Sequence, residues 1–313
     1  MRVLVTGGCG FIGSSLVLRL VDEGHQVVNL DALTYAGVRS SLARVEGAPN
    51  YRFVRGDVAC RRDALEALGE GVDRVFHLAA ESHVDRSILG AEAFVRSNVL
   101  GTEVLLEACR GRAGRIVQVG TDEVYGSVPE GRSDERAPLR PANPYAASKA
   151  GADLLALSHV TTHGLDLVVT RCTNNFGPRQ LPEKLIPLAI TRVLRDQPVP
   201  LYGDGRQVRD WIHVEDHVDA LLFVAEHAAA GQVVNIGVEN TRSNVEVIEE
   251  LFEHLGRGRL EPVEDRKGHD RRYALDAGLL RGLGWSAPAR DLGETVAWYL
   301  AHEAWWRPLL DRV

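Results

Sequence analysis

The feature that most constrains this chain is a glycine-rich turn between a short strand and a helix. Residues 2–5 form a mostly apolar run of strand length, and residues 14–23 repeat apolar side chains at helical spacing. Between them, the glycines at positions 7, 10 and 13 follow a G-x-x-G-x-x-G spacing. Such a turn lets the backbone approach a pyrophosphate at the N-terminus of the helix, although glycines alone also occur in ordinary flexible turns.

An acidic residue after the second predicted strand indicates that the ligand of this turn is a dinucleotide. The strand Gln26–Leu30 is followed by Asp31, about 20 residues beyond the glycines, where a carboxylate can bind the ribose hydroxyls of a dinucleotide. A carboxylate at that position would repel the 2′-phosphate of NADP. The two features together predict a binding site for NAD.

The rest of the chain alternates strands with helices. Strands are predicted at residues 51–55, 73–80, 115–119 and 165–170, and helices at 92–110 and 145–163. This alternation predicts an α/β fold with a Rossmann-like, doubly wound parallel sheet and a smaller, interleaved C-terminal substrate-binding region. We expect an NAD-binding domain at residues 1–175, to which 210–237 return, and a substrate domain at 176–209 and 238–313.

Composition excludes several classes of function. The 313 residues carry a net charge of −7, which argues against nucleic acid as a partner. No apolar run reaches the roughly 20 residues of a membrane-spanning helix, and the N-terminus does not read as a signal peptide. The four cysteines have no paired spacing for zinc or redox chemistry, so we expect reduced thiols, no metal and a cytoplasmic location.

Two segments carry candidate catalytic groups. Tyr145 and Lys149 are four residues apart, so on a helix they share one face. Lowering a phenol pKa from about 10 to about 7 requires roughly 4 kcal/mol, which one cation about 4 Å away could supply. The second segment follows the predicted strand 115–119 and offers a hydroxyl and two carboxyls at Thr121, Asp122 and Glu123. If both segments line one cleft, the cleft contains an activated phenol and an acid–base pair.

Basic residues are concentrated in the second half of the chain. The stretch 265–273 is the most basic short segment, and its simplest interpretation is a solvated surface loop. Further basic side chains that could join it in binding a diphosphate are Arg171, Arg179, Lys184, Arg206 and Arg209.

These residues occur in stretches that resemble a known family. The glycine turn and the Tyr145/Lys149 pair resemble the extended short-chain dehydrogenase/reductase family, and the resemblance extends over the whole chain. A narrower resemblance, to the nucleotide-sugar 4,6-dehydratases within that family, is carried by 79–88, 121–126, 182–187, 209–211 and 265–270. The resemblance implies a lyase with tightly bound NAD, and dTDP-glucose as the nucleotide-sugar substrate.

The resemblance also implies roles for individual residues. Those implied in catalysis are Thr121, Asp122, Glu123, Tyr145 and Lys149. Those implied in NAD binding are Gly7, Gly10, Phe11, Ile12, Gly13, Asp31, Leu33, Thr34, Asp57, Val58, Leu78, Ala79, Ala80, Ser82, Ser97, Tyr145, Lys149 and Asn175. Those implied in substrate binding are Ser82, Thr121, Asp122, Glu123, Asn174, Lys184, Leu185, Pro200, Leu201, Tyr202, Arg209, Asn244, Asp265, Arg266 and His269. Family members are usually homodimers that pair the helices at 92–110 and 145–163.

The implied reaction can be written for these side chains. Tyr145, as phenolate, takes the proton of the sugar O4 while hydride leaves C4, and the resulting ketone makes the C5 proton acidic. Glu123 removes that proton, and Asp122, held protonated, donates to the departing O6 before hydride returns to C6. For this role the pKa of Asp122 has to be raised by burial or by Glu123. Hydride return to C6 together with reprotonation at C5 gives a 4-keto-6-deoxy sugar.

Other interpretations share part of this pattern. A nucleotide-sugar 4-epimerase or a hexuronate decarboxylase would use the same NAD, tyrosine and lysine, but an epimerase has no need for the carboxyl pair. A UDP-sugar dehydratase would differ only in the base it recognises. A ketoreductase would release its dinucleotide in each cycle, and a catalytically silent NAD-binding protein could lose the catalytic side chains. The loop after the paired asparagines departs from the family at Phe176, Arg179 and Leu181. The resemblance implies that this loop faces the substrate, so we expect Arg179 and Leu181 to affect specificity.

Overall fold

The computed structural model describes residues 1–265 and 270–312. Its strands are β1 (Arg2–Thr6), β2 (Gln26–Asp31), β3 (Tyr51–Arg55), β4 (Val72–His77), β5 (Ala113–Thr121), β6 (Leu167–Cys172), β7 (Asn174–Phe176), β8 (Val199–Tyr202), β9 (Val208–His213), β10 (Val233–Ile236), β11 (Thr241–Ser243) and β12 (Leu260–Val263). Its α-helices are α1 (Phe11–Asp22), α2 (Arg61–Leu68), α3 (Val84–Leu89), α4 (Glu92–Phe94), α5 (Gly101–Cys109), α6 (Pro144–His163), α7 (Leu185–Leu194), α8 (Val214–His227), α9 (Asn244–Leu255), α10 (Gly278–Gly282), α11 (Leu292–Ala301) and α12 (Glu303–Trp306).

The central sheet has the predicted doubly wound form. Its seven strands lie in the order β10-β6-β5-β4-β1-β2-β3, and every neighbouring pair is parallel. The order of connection reverses between β1 and β4. At such a switch point the loops after neighbouring strands diverge and leave a crevice at the carboxyl edge of the sheet, where ligands bind.

Helices cover both faces of this sheet because its strands are apolar on both sides. Val3 and Val5 of β1 face one core, which contains apolar side chains of α1 and α8. Leu4 points the opposite way into a second core, with side chains of α2, α5 and α6. This alternation is the two-residue period of a strand, and burial on both sides is typical of a parallel sheet.

A second region begins where β6 ends. Two residues after β6, β7 pairs with β9, and β9 pairs in turn with β11, forming a three-stranded sheet; β8 and β12 form a separate parallel pair. Helices α7, α9 and α11 pack over these strands around a third core that includes Tyr299 and Trp306. The second region therefore starts at the carboxyl edge of the main sheet. Within the described residues, no helix is long and apolar enough to span a bilayer.

Several predicted helix boundaries were wrong. The first helix begins at Phe11 rather than at residue 14, because Gly10 already takes the N-cap position. Two other helices also differ slightly from the prediction: the helix predicted at 92–110 ends at Cys109, and the one predicted at 145–163 begins at Pro144, because Asn143 is its N-cap. Between α4 and α5 the chain forms a π-helical segment, Val95–Leu100, so the predicted helix at 92–110 contains a change in hydrogen-bonding pattern.

Candidate active site

A cavity of about 490 Å³ lies at the carboxyl edge of the main sheet. Its lining comes from the turns that follow β1, β2, β3, β4, β5 and β6, together with α6 and the loop before α7. The switch point of the sheet therefore brings residues that are distant in sequence to one place, as the rule for doubly wound sheets predicts.

The glycine turn leaves space for a ligand by packing closely against its neighbours. Gly7 has φ +71°, and a Cβ there would lie 2.7 Å from the amide nitrogen of Ala79. A Cβ on Gly13 would collide with the carbonyl oxygen of Gly7. A side chain at Gly13 would push α1 away from the turn after β1, and one at Gly7 would push that turn away from the residues after β4. The residues present therefore fit a dinucleotide pyrophosphate.

Two carboxylates are held rigidly beside this turn. Asp31 accepts hydrogen bonds from the backbone amides of Cys9 (2.8 Å) and Leu33 (2.7 Å). Burial raises the pKa of Asp31, while these two bonds oppose the rise. Asp57 accepts from the amide of Ala59 at 2.8 Å and from Arg96 at 2.8 Å. Both carboxylates line the cavity, as a ribose site and an adenine site require.

The cavity brings together all the residues expected to bind NAD except one. Leu33 is absent from the lining. It has a positive φ of 55°, and its side chain packs against the core beneath β2. The backbone amide of Leu33 is the part that serves the site, because it holds Asp31 in place. The expected contact of Leu33 with NAD therefore stays a prediction.

Tyr145 and Lys149 both line the cavity, and both are buried. The ammonium group of Lys149 donates to the carbonyl oxygen of Val119 at 2.6 Å, which anchors the first turns of α6 to the end of β5. Burial raises the pKa of Tyr145 well above its ordinary value, Glu123 raises it further, and a hydrogen bond with Thr121 lowers it. One nearby cation could in principle lower this pKa, but in the folded chain burial and the neighbouring carboxyls shift it in the opposite direction.

The carboxyl pair has the asymmetry that an acid and a base require. Asp122 is 3% exposed, and burial, followed by the nearby Glu123, raises its pKa to about 8. Its Oδ2 has no hydrogen-bond partner among the described residues. Asp122 is therefore mainly protonated at neutral pH, as the sequence-based mechanism required.

Glu123 lies in a different environment from Asp122. Burial raises its pKa, but Asn143 donates to its Oε2 at 3.4 Å, and Arg209 and Lys184 oppose the rise. Asn143 also caps α6 by accepting from the amide of Ala146 at 2.8 Å. The residue that starts the helix bearing Tyr145 thus also orients the second carboxyl. Sequence reasoning missed Asn143, although an asparagine directly before Pro144 is a recognisable helix start.

The expected substrate residues divide into two groups. Those that line the cavity are Ser82, Thr121, Asp122, Glu123, Asn174 and Lys184. Those that lie outside it are Leu185, Pro200, Leu201, Tyr202, Arg209, Asn244 and Asp265, which belong to the second region. Arg209 is nevertheless close enough to lower the pKa values of Asp122 and Glu123. Arg266 and His269 lie outside the described residues.

Two arginines proposed for a diphosphate clamp point elsewhere. Arg171 is buried against Asp153, with Nε and Oδ2 2.9 Å apart, and does not line the cavity. Arg179 donates to Ser15 at 3.0 Å and pairs with Glu215 at 3.3 Å, on the side of α1 away from the cavity. The expectation that Arg179 faces the substrate was therefore wrong, whereas Leu181 does line the cavity.

Sequence reasoning also missed a buried asparagine in the π-helical segment. Asn98 exchanges hydrogen bonds with the backbone of Glu81 at 2.9 and 3.0 Å, and donates to Ser148 at 2.8 Å. It therefore fixes the loop after β4 to the helix that carries Tyr145. No local pattern indicates this role, because the π-helical turn that directs Asn98 inward arises from hydrogen bonding in the folded chain.

Comparisons with known proteins agree with this geometry. The model of the NAD dependent epimerase/dehydratase family matches residues 3–237. The dTDP-glucose 4,6-dehydratase of Streptomyces griseus is 54% identical over 321 residues, covering 99% of this chain and 97% of that protein.

Two solved structures show how similar the folds are. DesIV, the dTDP-glucose 4,6-dehydratase of Streptomyces venezuelae solved with NAD bound, is 46% identical with a TM-score of 0.95, covering 99% of this chain and all of that one. The UDP-glucose 4-epimerase of Thermus thermophilus, also solved with NAD, is 32% identical with a TM-score of 0.89, covering 96% of this chain and all of that one.

Proposed function

Since the chain belongs to the NAD dependent epimerase/dehydratase family, we propose that it removes water from dTDP-glucose to form dTDP-4-keto-6-deoxyglucose. It is then a hydro-lyase with NAD as a tightly bound cofactor. The observation that carries the proposal is the carboxyl pair, Asp122 and Glu123, in the same cavity as Tyr145. Dehydration needs an acid and a base at the sugar in addition to the tyrosine that serves oxidation.

The cofactor part of the proposal is supported by the shape of the cavity. The cradle made by Gly7 and Gly13 would hold the pyrophosphate, and Asp31 and Asp57 would bind the adenosine half. When bound there, NAD would supply a hydride acceptor for C4 of the sugar and a hydride donor for C6, and would bring positive charge into the cavity. A buried carboxylate at Asp31 disfavours the additional phosphate of NADP.

Each catalytic side chain then has a defined task. Tyr145 takes the proton of the sugar O4, and the hydrogen bond from Thr121 favours its phenolate form. Glu123 takes the C5 proton once a ketone at C4 has made it acidic. Asp122 is protonated near neutral pH and donates its proton to the departing O6, so that water leaves. A proton returned to C5 completes the product.

A 4-epimerase is the principal competing function, because a structure of that activity is 32% identical to this chain. Epimerisation needs oxidation and reduction at C4 only, so it gives no role to a buried, protonated Asp122 beside Glu123. That pair favours the dehydratase. A dehydratase specific for UDP-sugars would use the same catalytic groups and differ only in the nucleotide base.

The proposal also assigns one ligand to each region of the chain and a homodimeric state to the enzyme. Residues 1–175 with 210–237 would hold NAD, and residues 176–209 with 238–313 would hold the sugar nucleotide. Large apolar side chains in the segments 92–110 and 145–163 are exposed, with Val95 at 53% and Leu154 at 58%, and pairing of these surfaces would form a homodimer. We place the enzyme in the cytoplasm, with no nucleic acid or membrane as partner.

The test is product analysis in heavy water. The purified protein is incubated with dTDP-glucose and, in parallel, with UDP-glucose, and the products are analysed by mass spectrometry and NMR. Loss of one water with solvent deuterium at C5 is the expected result, with dTDP-glucose the faster substrate. A C4 epimer without loss of water would transfer the assignment to the epimerase. Faster turnover of UDP-glucose would correct the nucleotide.

A further inference from the structure

Two neighbouring helices place four metal-ligating side chains together, far from the cavity. His159 and His163 are one turn apart on α6, and Glu103 and Glu107 are one turn apart on α5. Residues four apart on a helix share one face, so the two histidines of α6 lie on one face of that helix, and the two glutamates of α5 lie on one face of theirs. We propose that Glu107, His159 and His163 bind a divalent transition metal ion of the zinc type, with Glu103 orienting His159.

The distances suit such a site after small side-chain movements. One ligand atom from each of Glu107, His159 and His163 lies within 4.8 Å of the other two. In a tetrahedral zinc site with ligands at about 2.1 Å, neighbouring ligand atoms are about 3.4 Å apart. Movement of the side chains of Glu107 and His163 by about 1 Å closes that difference. The backbones of α5 and α6 need not move.

The buried ring of His159 distinguishes a metal site from ordinary ion pairs at the surface. The residue is 4% exposed, and its Nε2 lies 2.9 Å from the Oε2 of Glu103. Its Nδ1 is buried and has no hydrogen-bond partner among residues 1–265 and 270–312. A histidine that gives one ring nitrogen to a carboxylate and keeps the other for a metal is the usual arrangement around bound zinc.

The donor set indicates the class of metal. Two imidazoles and one carboxylate suit Zn²⁺, Co²⁺, Ni²⁺ or Cu²⁺, whereas Mg²⁺ and Ca²⁺ prefer oxygen ligands alone. Water can take the fourth position. Arg110 already contacts both carboxylate oxygens of Glu107 at 2.9 Å, so metal binding has to displace it from one of them. Such a site should bind with moderate affinity.

The site lies at the opposite edge of the main sheet from the cavity. His163 ends α6 just before β6 starts, and Glu107 is near the end of α5, just before β5. Tyr145 is at the other end of α6, about 27 Å away at 1.5 Å per residue. The metal would therefore clip α5 to α6 and stabilise the fold without touching the reaction. The signal in the sequence is H-x₃-H on a helix, which a search for paired cysteines does not find.

The experiment uses the full-length protein without an affinity tag. Co²⁺ is titrated while the visible d–d absorption is recorded, and Zn²⁺ binding is measured by calorimetry and by its effect on the melting temperature. We expect one equivalent of metal and a rise of a few degrees. His163→Ala should weaken binding by at least about 100-fold, and Glu103→Gln by about tenfold. The matched control is His254→Ala, because His254 pairs with Glu250 at 3.6 Å on one helix without a second histidine.

The outcomes separate the metal site from ordinary ion pairs. Equal binding by the wild type and His163→Ala would overturn the proposal, as would wild-type protein that takes up no metal. Loss of binding in His254→Ala but not in His163→Ala would place the metal elsewhere. Dehydratase activity should be the same in His163→Ala as in the wild type without added metal. The result is therefore independent of the proposed function.

Discussion

Replacing Asp122 by asparagine should slow catalysis but stabilise the fold, although it changes only one ionisable group. The amide keeps the size of the carboxyl but has no acidic proton to give to the departing O6. General acid catalysis contributes about 10²- to 10⁴-fold to a rate, so water elimination should slow by that factor. Oxidation at C4 does not use Asp122, so reduced cofactor should accumulate and be visible by its near-ultraviolet absorption.

The same substitution should stabilise the fold, by an amount that depends on pH. Burial raises the pKa of Asp122 from 3.8 to about 8, so between these values the native state binds a proton that the unfolded state has released. The free energy of unfolding therefore falls as pH rises through this window. At about 1.36 kcal/mol per unit, the penalty is roughly 4 kcal/mol at pH 7 and roughly 2 kcal/mol at pH 5. Asparagine does not ionise, so Asp122→Asn should gain up to these amounts.

The assay is urea unfolding of the wild type and the variant at pH 5 and pH 7, together with single-turnover kinetics. The control is Asp196→Asn, whose side chain is 83% exposed and which should change neither quantity. A stabilisation by Asp122→Asn that is the same at both pH values would refute the assignment of a protonated acid. Water elimination within tenfold of the wild type would refute its catalytic role. In the wild type, elimination should slow as pH rises above about 8.

Three further substitutions test the remaining parts of the site. Tyr145→Phe should lower kcat by about 10²- to 10⁴-fold while NAD remains bound, and loss of NAD would instead show a binding role. Gly13→Ala should abolish cofactor retention and destabilise the fold by about 1 to 3 kcal/mol. Gly47→Ala is the control and should do neither, because the space around Gly47 is open. Equal behaviour of the two variants would contradict the packing argument. Asn143→Ala should cost about 1 kcal/mol in unfolding experiments through the lost cap and also slow C5 deprotonation by Glu123; an unchanged rate would exclude the orienting contact.

Local patterns in the sequence were sufficient for most of the fold. The parallel sheet followed from alternating strand and helix periods, and the position of the cavity followed from the rule for the carboxyl ends of strands. Gly7, Gly13 and Asp31 could be assigned because a tight turn, close helix packing and a carboxylate at the end of β2 each need a particular residue type. Tyr145 and Lys149 could be paired because residues four apart on one helix always share a face.

Burial, charge state and side-chain direction could not be predicted from the sequence, because they depend on the tertiary structure. The pKa of Asp122 depends on how completely its neighbours in the fold enclose it, and that of Tyr145 on burial and Glu123 rather than on Lys149. Arg179 points away from the cavity, in a loop where its own backbone takes a positive φ of 69°. The spacing of apolar residues along the chain is enough to predict which face of a helix or strand is buried. The charge state of a side chain depends instead on every group that folding brings near it, so only the folded structure determines it.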